Sequence, residues 1–159
     1  MKLFKWLRKS PELREADALR LASLPVYLDS ELPLEQQRFV VVDLDTSGLN
    51  TLKDKILSIG AVTIDQSAIA LGQQFSCTLR RANHAVSESV LIHQIPPSEV
   101  AAGIRPEKAL LSFMEYVGSS PLLAFHATFD QRMLVREMDD AFAYDVRHPF
   151  YDVAEIAPL

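Results

Sequence analysis

The chain has 159 residues, of which 48% are hydrophobic, and this is enough to form the core of one domain of ordinary size. Its 16 Lys and Arg residues against 21 Asp and Glu leave a net charge of −5, which argues against a protein that coats nucleic acid by bulk electrostatics. Cys77 is the only cysteine, so an intramolecular disulfide is excluded and a cytoplasmic location is expected. The sequence contains neither the apolar core of a secretory signal nor the ~20 apolar residues of a membrane span.

Residues 1–37 differ in character from the rest and are predicted to form a helical arm and linker, followed by a domain over residues 38–159. Basic and apolar residues alternate over residues 2–9, which favours a short amphipathic helix packed on its own domain. Docking of this arm on a protein partner or on an anionic membrane is the alternative. A second helix is predicted after Pro11, and Pro25 and Pro33 mark the linker.

From residue 38 the pattern predicts an α/β fold with a mixed sheet. Three strands are predicted over residues 38–45, 56–65 and 68–79, and the short spacer between the last two predicts a β-hairpin. An irregular stretch over residues 80–97 precedes a helix over residues 106–118, a short strand over residues 122–125 and a helix to about Asp140. A last strand or helix is expected near Tyr151. A three-stranded meander followed by α-β-α units places the first strand in the centre of a sheet flanked by helices.

Two carboxylates end the first predicted strand. Because side chains alternate faces along a strand, Asp43 and Asp45 project to the same side. Two carboxylates held close together repel each other unless a divalent cation such as Mg²⁺ or Mn²⁺ balances their charge. Asp130 lies in the first turn of a predicted helix, where it could join them at one edge of the sheet. The alternative is ordinary turn chemistry, because Thr46, Ser47 and Gly48 follow at once.

Four segments resemble the DEDDh 3′–5′ exonucleases, the family of the proofreading epsilon subunit of DNA polymerase III, ribonuclease T and oligoribonuclease. Residues 43–49 are similar to the motif D-x-E-T-T-G-L, and residues 55–62 to the strand that follows it. Residues 92–95 are similar to the H-G-I loop, and residues 124–130 to the motif A-H-N-x-x-F-D. The resemblance implies a ribonuclease H-like fold from about residue 38 onwards.

The resemblance also implies site residues and partners. Asp43 would bridge two divalent cations, Mg²⁺ or Mn²⁺, while Asp45 binds one of them and Asp130 the other. The substrate would be the 3′ end of single-stranded nucleic acid, DNA rather than RNA, and the product a nucleoside 5′-monophosphate. The residues expected to contact the substrate are Thr46, Ser47, Leu49, His126 and Phe129.

The chain departs from the family pattern in three places. Asp45 stands where the family has Glu, and Ala127 replaces an Asn. The final motif H-x-x-x-x-D, which supplies the catalytic base, does not occur before Leu159, so a C-terminally truncated chain with little activity of its own is expected. His148 is a poor substitute for that base, and Asp152 is expected to have a structural role.

Two other functions fit parts of the sequence. A strand that ends in D-x-D is also typical of haloacid-dehalogenase-type phosphatases, in which Asp43 would be a covalent nucleophile. The hairpin directly after this strand argues against that function. The second alternative is a non-catalytic module with an exonuclease fold that binds a partner through its N-terminal arm.

Overall fold

The computed structural model describes residues 15–81 and 95–156. The predicted basic helix over residues 2–9 and most of the H-G-I-like segment over residues 92–95 lie outside this part of the chain. In the described part, no helix is long and apolar enough to cross a membrane.

Five strands form one mixed sheet in the order β3-β2-β1-β4-β5. Strand β1 pairs antiparallel with β2 and parallel with β4, and β5 extends the parallel side. The predicted meander and the central position of β1 are confirmed. The strands are β1 Arg38–Thr46, β2 Ile56–Asp65, β3 Ala68–Thr78, β4 Leu122–Ala124 and β5 Phe150–Asp152.

Helices cover the apolar face of this sheet. The α-helices are α1 Glu15–Ala22, α2 Pro97–Ala101, α3 Pro106–Val117, α4 Ala127–Phe142 and α5 Val153–Ile156, and a 3₁₀ turn spans Leu34–Gln36. Alternate β1 residues Val40, Val42 and Leu44 are buried in one core with Phe113 of α3 and Met133 of α4. The opposite face of β1 carries the less buried residues 39, 41, 43 and 45. The sheet therefore presents Asp43 and Asp45 on the face away from this core, as the alternation predicts.

Backbone chemistry explains where the main elements begin and end. Pro106 lies in the first turn of α3, where its missing N–H costs nothing, and Gly118 ends the helix at φ +61°, which favours glycine. The β2–β3 turn places Gln66 and Ser67 at φ +49° and +63°, the left-handed values that a two-residue hairpin turn requires.

Several element boundaries differ from those predicted. Strand β4 stops at Ala124 because the chain turns at His126 into α4, and α4 continues to Phe142 because its left-handed termination falls at Ala143. The short helix α2 was not predicted; it follows the stretch predicted to be irregular and starts at its last residue, Pro97, because the ring of this proline suits a first helical position.

The described part of the N-terminal arm contacts the sheet domain. Asp17 of α1 is buried and forms an ion pair with Arg105, the residue before α3. Arg20 forms a second ion pair, with a nitrogen 2.6 Å from the Glu115 carboxylate of α3. Helix α1 is thus anchored on α3 by charged groups.

Candidate active site at the carboxyl end of the parallel strands

The carboxyl ends of β1, β4 and β5 meet at one edge of the sheet, and acidic residues follow each of them. Asp43 and Asp45 end β1, Asp130 lies in the first turn of the helix after β4, and Asp152 ends β5. Crevices at the carboxyl ends of parallel strands are common ligand sites in open α/β sheets. This edge is therefore the candidate active site.

Asp130 is held against β1 by a backbone hydrogen bond. Strand β4 pairs with β1 only as far as Val41, so the amide of Leu44 lies beyond the end of the β1–β4 ladder. This amide donates to the Asp130 carboxylate. Asp130 is thereby fixed beside β1, between the positions of Asp43 and Asp45, with only 6% of its surface exposed.

The environment of Asp130 resists ionisation. Burial, followed by the negative charge of Asp43, raises the pKa of Asp130 to about 7. The hydrogen bond from Leu44 acts in the opposite direction, and the charge of Asp152 adds a smaller increase. Asp43 and Asp130 are thus close enough to repel each other, and a cation at this position would remove the repulsion.

Asp45 has a different partner. It lies opposite Ser58 in the β1–β2 ladder, and the Ser58 hydroxyl donates to its carboxylate. Asp43 instead faces Gly60, which has no side chain. The structure therefore brings Asp43 and Asp130 together and engages Asp45 with the neighbouring strand.

The donor set fits a divalent cation by its charge and chemistry but is not arranged as a complete cage. Within residues 15–81 and 95–156, no three His, Cys, Asp or Glu side chains lie close enough together to hold a metal ion. Asp43 and Asp130 supply two hard oxygen ligands with unbalanced charge. Asp45 would join them by turning away from Ser58. The predicted convergence of the three carboxylates is thus seen for two of them.

Asp152 caps the helix that carries Asp130. One of its carboxylate oxygens accepts from the amide of Ala127 at 3.2 Å, and the other accepts from the amide of Ala154 at 2.9 Å. His126, the residue before α4, makes no side-chain cap. The expected structural role of Asp152 agrees with these contacts, because it satisfies free amides at the starts of α4 and α5.

The loop after β1 is closed by its own polar side chains. The Thr46 hydroxyl donates to the carbonyl of Gly48 at 2.8 Å, and the Ser47 hydroxyl donates to Asp54 at 3.0 Å. Asp54 also accepts from the amide of Asn50 at 2.8 Å. Both hydroxyls predicted to contact substrate are engaged inside the loop. Leu49, by contrast, is 82% exposed and free to meet a ligand.

Asp54 also limits what can replace Gly48. A Cβ atom at Gly48 would lie 2.5 Å from a carboxylate oxygen of Asp54, which is closer than real Cβ contacts. The glycine of the first motif thus leaves room for the Asp54 carboxylate, which a larger residue would displace, and it is not there to supply a positive φ.

The three aromatic or histidine candidates lie in different places. His126 is exposed at the β4–α4 junction, four positions before Asp130, and Phe129 is half-buried against the core. His148 is buried, and its Nε2 lies 2.7 Å from the carbonyl of Gly118. Its neighbour Pro149 bonds to the first residue of β4, so His148 lies at the end of the sheet opposite the carboxylates. Burial lowers the pKa of His148.

Sequence patterns did not reveal the groups that hold α4 against the start of β2. Glu137 is buried, accepts from the amide of Ile56 at 3.3 Å and pairs with Arg81 at 2.5 Å. Arg136 donates to the carbonyl of Asp54. One pattern in the sequence could have indicated that Glu137 is buried. Glu137 follows Asp130 by seven positions, which places both residues on the inner face of α4.

Comparisons with known proteins agree on one family. The family model described as "RNase_T: Exonuclease" matches residues 40–157. A PolC-type DNA polymerase III of Clostridium perfringens is 26% identical over 133 residues, which are 84% of this chain but 9% of the relative. A DNA polymerase III epsilon-like protein of Rhodobacter capsulatus is 29% identical over 109 residues, which are 68% of this chain and 16% of the relative. The chain thus spans a small part of these relatives.

Solved structures share the fold. Escherichia coli exonuclease I in complex with a dT13 oligonucleotide superposes with a TM-score of 0.66 at 18% sequence identity, covering 76% of this chain and 29% of that one. A product-bound structure of exonuclease I gives the same TM-score and covers 31% of its own chain. At this identity the likeness concerns the fold, and it confirms the predicted ribonuclease H-like sheet with flanking helices.

Proposed function

The chain belongs to the exonuclease family of the ribonuclease T type, and from this membership we propose that it is a metal-dependent 3′–5′ exonuclease domain that releases nucleoside 5′-monophosphates. The observation that carries the proposal is the pair Asp43 and Asp130: burial of Asp130, followed by the charge of Asp43, raises the pKa of Asp130 to about 7. A buried carboxylate with a second carboxylate nearby is typical of sites that hold a cation or move a proton.

We assign the carboxylates as metal ligands. Asp43 and Asp130 would hold divalent cations, Mg²⁺ or Mn²⁺, and Asp45 would complete the site after leaving Ser58. When bound, such ions make a water molecule nucleophilic and stabilise the leaving 3′ oxygen. Asp152 would position Asp130 by capping the start of α4. The Leu44 amide would hold the Asp130 carboxylate in place by donating a hydrogen bond to it.

The substrate end would lie beside the loop after β1. Leu49 would pack against the terminal base, with Phe129 as a second apolar contact. Since the hydroxyls of Thr46 and Ser47 are engaged within the loop, these residues would meet the substrate through their backbone. Contacts of this kind carry little base identity.

Single-stranded DNA is the proposed substrate. The names of the polymerase relatives and the oligonucleotide complex of exonuclease I support DNA over RNA. The basic arm at the N-terminus is proposed as a contact for a protein partner. No described histidine is assigned as the base that activates water, so we expect slow turnover by this chain.

Metal binding tests the proposal independently of turnover. Titration with Mn²⁺ followed by calorimetry should give binding to the wild-type chain and at least roughly tenfold weaker binding to Asp130→Asn, because one charged ligand is lost. Asp65→Asn is the matched control, since Asp65 is an exposed carboxylate at the far end of β2. Equal affinity of the wild type and Asp130→Asn would contradict the assignment.

Polarity is tested with a 5′-labelled single-stranded oligonucleotide and Mn²⁺. A 3′–5′ exonuclease produces a ladder of shortened labelled strands, whereas the opposite polarity releases the labelled mononucleotide first. Asp130→Asn should abolish the ladder.

The non-catalytic alternative is favoured by the Asp45–Ser58 hydrogen bond, which withdraws one expected ligand from the site. Ser58→Ala separates the two functions. If Ser58 only restrains Asp45, its removal should strengthen Mn²⁺ binding. A non-catalytic module would bind no Mn²⁺ at this site with either residue at position 58.

A further inference from the structure

A cleft runs along the outer side of α4 and begins one residue after Asp130. Its volume is about 630 Å³, which is large enough for a nucleotide unit. One wall is the loop after β1, and the other is the face of α4 that points away from the core. The lining residues that the argument uses are Leu52, Gln131, Arg132, Val135, Arg136 and Tyr144.

The loop wall is held rigidly although its tip is exposed. Asp54 accepts hydrogen bonds from Ser47 and Asn50, and its own carbonyl accepts from Arg136 of α4. These bonds tie the loop to the helix on the other side of the cleft. Leu52 is nevertheless 86% exposed and presents apolar surface at the mouth. A fixed loop with an exposed apolar side chain is suited to binding, because little conformational entropy is lost when a ligand arrives.

The helix wall carries two guanidinium groups. Arg132 and Arg136 are four positions apart on α4, so they lie on one face about 6 Å apart along the axis. Arg132 is exposed and makes no ion pair with another residue of the described ranges. Arg136 is mostly buried, and its Nε is without a hydrogen-bond partner in the same ranges. The cleft thus offers one cation, Arg132, at its surface, while the charge of Arg136 is offset by Glu137 at 3.7 Å. Two carboxylates, Asp139 and Asp145, line the cleft further from Asp130, about two helical turns beyond Arg132 and past the end of α4.

We propose that this cleft binds the nucleotides upstream of the 3′-terminal one, with Arg132 contacting a backbone phosphate. The proposal rests on the 3′–5′ exonuclease function and extends it to a second nucleotide position. Arginine suits phosphate oxygens because its planar fork of donors matches their geometry. Tyr144 and Leu52 supply apolar surface against which a base can stack without reading its identity. The cleft begins at Gln131, the residue after Asp130, and its other wall, Thr51 and Leu52, belongs to the loop after β1, so a strand whose end lies at the carboxylates would continue towards it.

Nuclear magnetic resonance of the ¹⁵N-labelled chain tests the position of the ligand. Two ligands are compared in Ca²⁺, which supports binding without turnover: thymidine 5′-monophosphate and the 5′-phosphorylated thymidine trinucleotide. The mononucleotide should shift amides near residues 43–46 and 130 only. The trinucleotide should in addition shift those of residues 51–52, 131–136 and 144.

Charge removal tests the role of Arg132. Arg132→Ala should weaken trinucleotide binding about tenfold, the loss expected for one charge-assisted hydrogen bond, and leave mononucleotide binding unchanged. Lys108→Ala is the matched control, because Lys108 is an exposed cation on α3 outside the cleft. Equal weakening by both variants would show a general charge effect and overturn the proposal.

The outcomes separate this inference from the exonuclease function. If both ligands shift only amides near the carboxylates, the cleft proposal is overturned and the exonuclease proposal stands. If the trinucleotide shifts cleft amides and none near residue 130, the cleft binds nucleic acid while the proposed reaction site fails. If neither ligand binds, both proposals are overturned. This is the result expected if the cleft instead binds a protein partner.

Discussion

At the scale of single residues, three similar carboxylates have different environments because their neighbours differ. Asp43 is exposed and faces Gly60, Asp45 accepts from Ser58, and Asp130 is buried beside Asp43. Only Asp130 combines loss of solvent with a like charge nearby, and both effects raise its pKa. The strand period predicted which face the β1 pair occupies but not this difference.

The raised pKa of Asp130 predicts how stability varies with pH when no metal is bound. The folded-state pKa is about 7 against an ordinary value of 3.8, so between about pH 4 and 7 the folded chain binds a proton that the unfolded chain has lost. The free energy of unfolding contributed by Asp130 is therefore highest at low pH and falls as pH rises through this window. At pH 8, Asp130→Asn should be more stable than the wild type by on the order of 2 kcal/mol, a value reduced for solvent screening.

Urea unfolding at several pH values in the presence of a chelator measures this difference. The wild type and Asp130→Asn should converge near pH 4, where both side chains are neutral. Asp65→Asn should follow the wild type throughout. A difference that stays constant from pH 4 to 8 would contradict the prediction.

At the scale of elements, helix α4 is the link between the site and the fold. Its first turn carries Asp130, its N-terminus is capped by Asp152, and its inner face carries the buried Glu137 two turns further on. Glu137 binds Arg81 and the start of β2, so α4 is fixed to both the parallel and the antiparallel side of the sheet. Small displacements of α4 are opposed at both ends, which keeps Asp130 beside β1.

The β2–β3 hairpin predicts a stabilising substitution. Gln66 has φ +49°, a left-handed conformation that glycine adopts without the penalty of a side chain. Gln66→Gly should raise the free energy of unfolding by roughly 0.5 kcal/mol. The same change at Gln74, an exposed position within β3, should lower it, because glycine weakens a strand interior. Thermal unfolding of the two variants checks the prediction, and a loss of stability at both positions would refute it.

At the scale of the whole molecule, the N-terminal arm and the sheet domain are joined both by ion pairs and by apolar contacts, because Leu24 is buried in the main core and Ala18 and Leu21 pack against it. Asp17 is the centre of this contact, because Arg105 and Arg20 both approach it. The buried position of Asp17 makes its pairing more important than that of an exposed carboxylate. The arm is thereby connected to α3, whose other face packs in the core.

The ion pairs of Asp17 predict that the fold loses stability when its carboxylate is removed. Asp17→Ala should lower the free energy of unfolding by about 1–2 kcal/mol, because Arg105 loses the nearer of its two carboxylate partners and keeps only Glu107 at 3.8 Å. Glu15→Ala in the same helix should change it by less than about 0.5 kcal/mol, since Glu15 is exposed. Chemical denaturation measures both variants. Equal effects would show that helix propensity, rather than the ion pair, determines the result.

Local patterns in the sequence were enough to predict the three-stranded meander, helix α3, the common face of Asp43 and Asp45, and Asp130 in a first helical turn. These features depend on residues close together in the chain, whose periodicity and turn chemistry are visible in the sequence. The resemblance in four short segments then predicted the family.

Only the tertiary structure decided which carboxylates meet and what holds them. The bond from Arg136 to Asp54 joins residues 82 positions apart, and that from Glu137 to Ile56 joins residues 81 apart. The pairing of Asp45 with Ser58 depends on strand register, and the pKa of Asp130 depends on burial by elements distant in sequence. Such properties arise from packing between elements, because hydrogen bonding, desolvation and charge repulsion depend on distance in space rather than on distance along the chain.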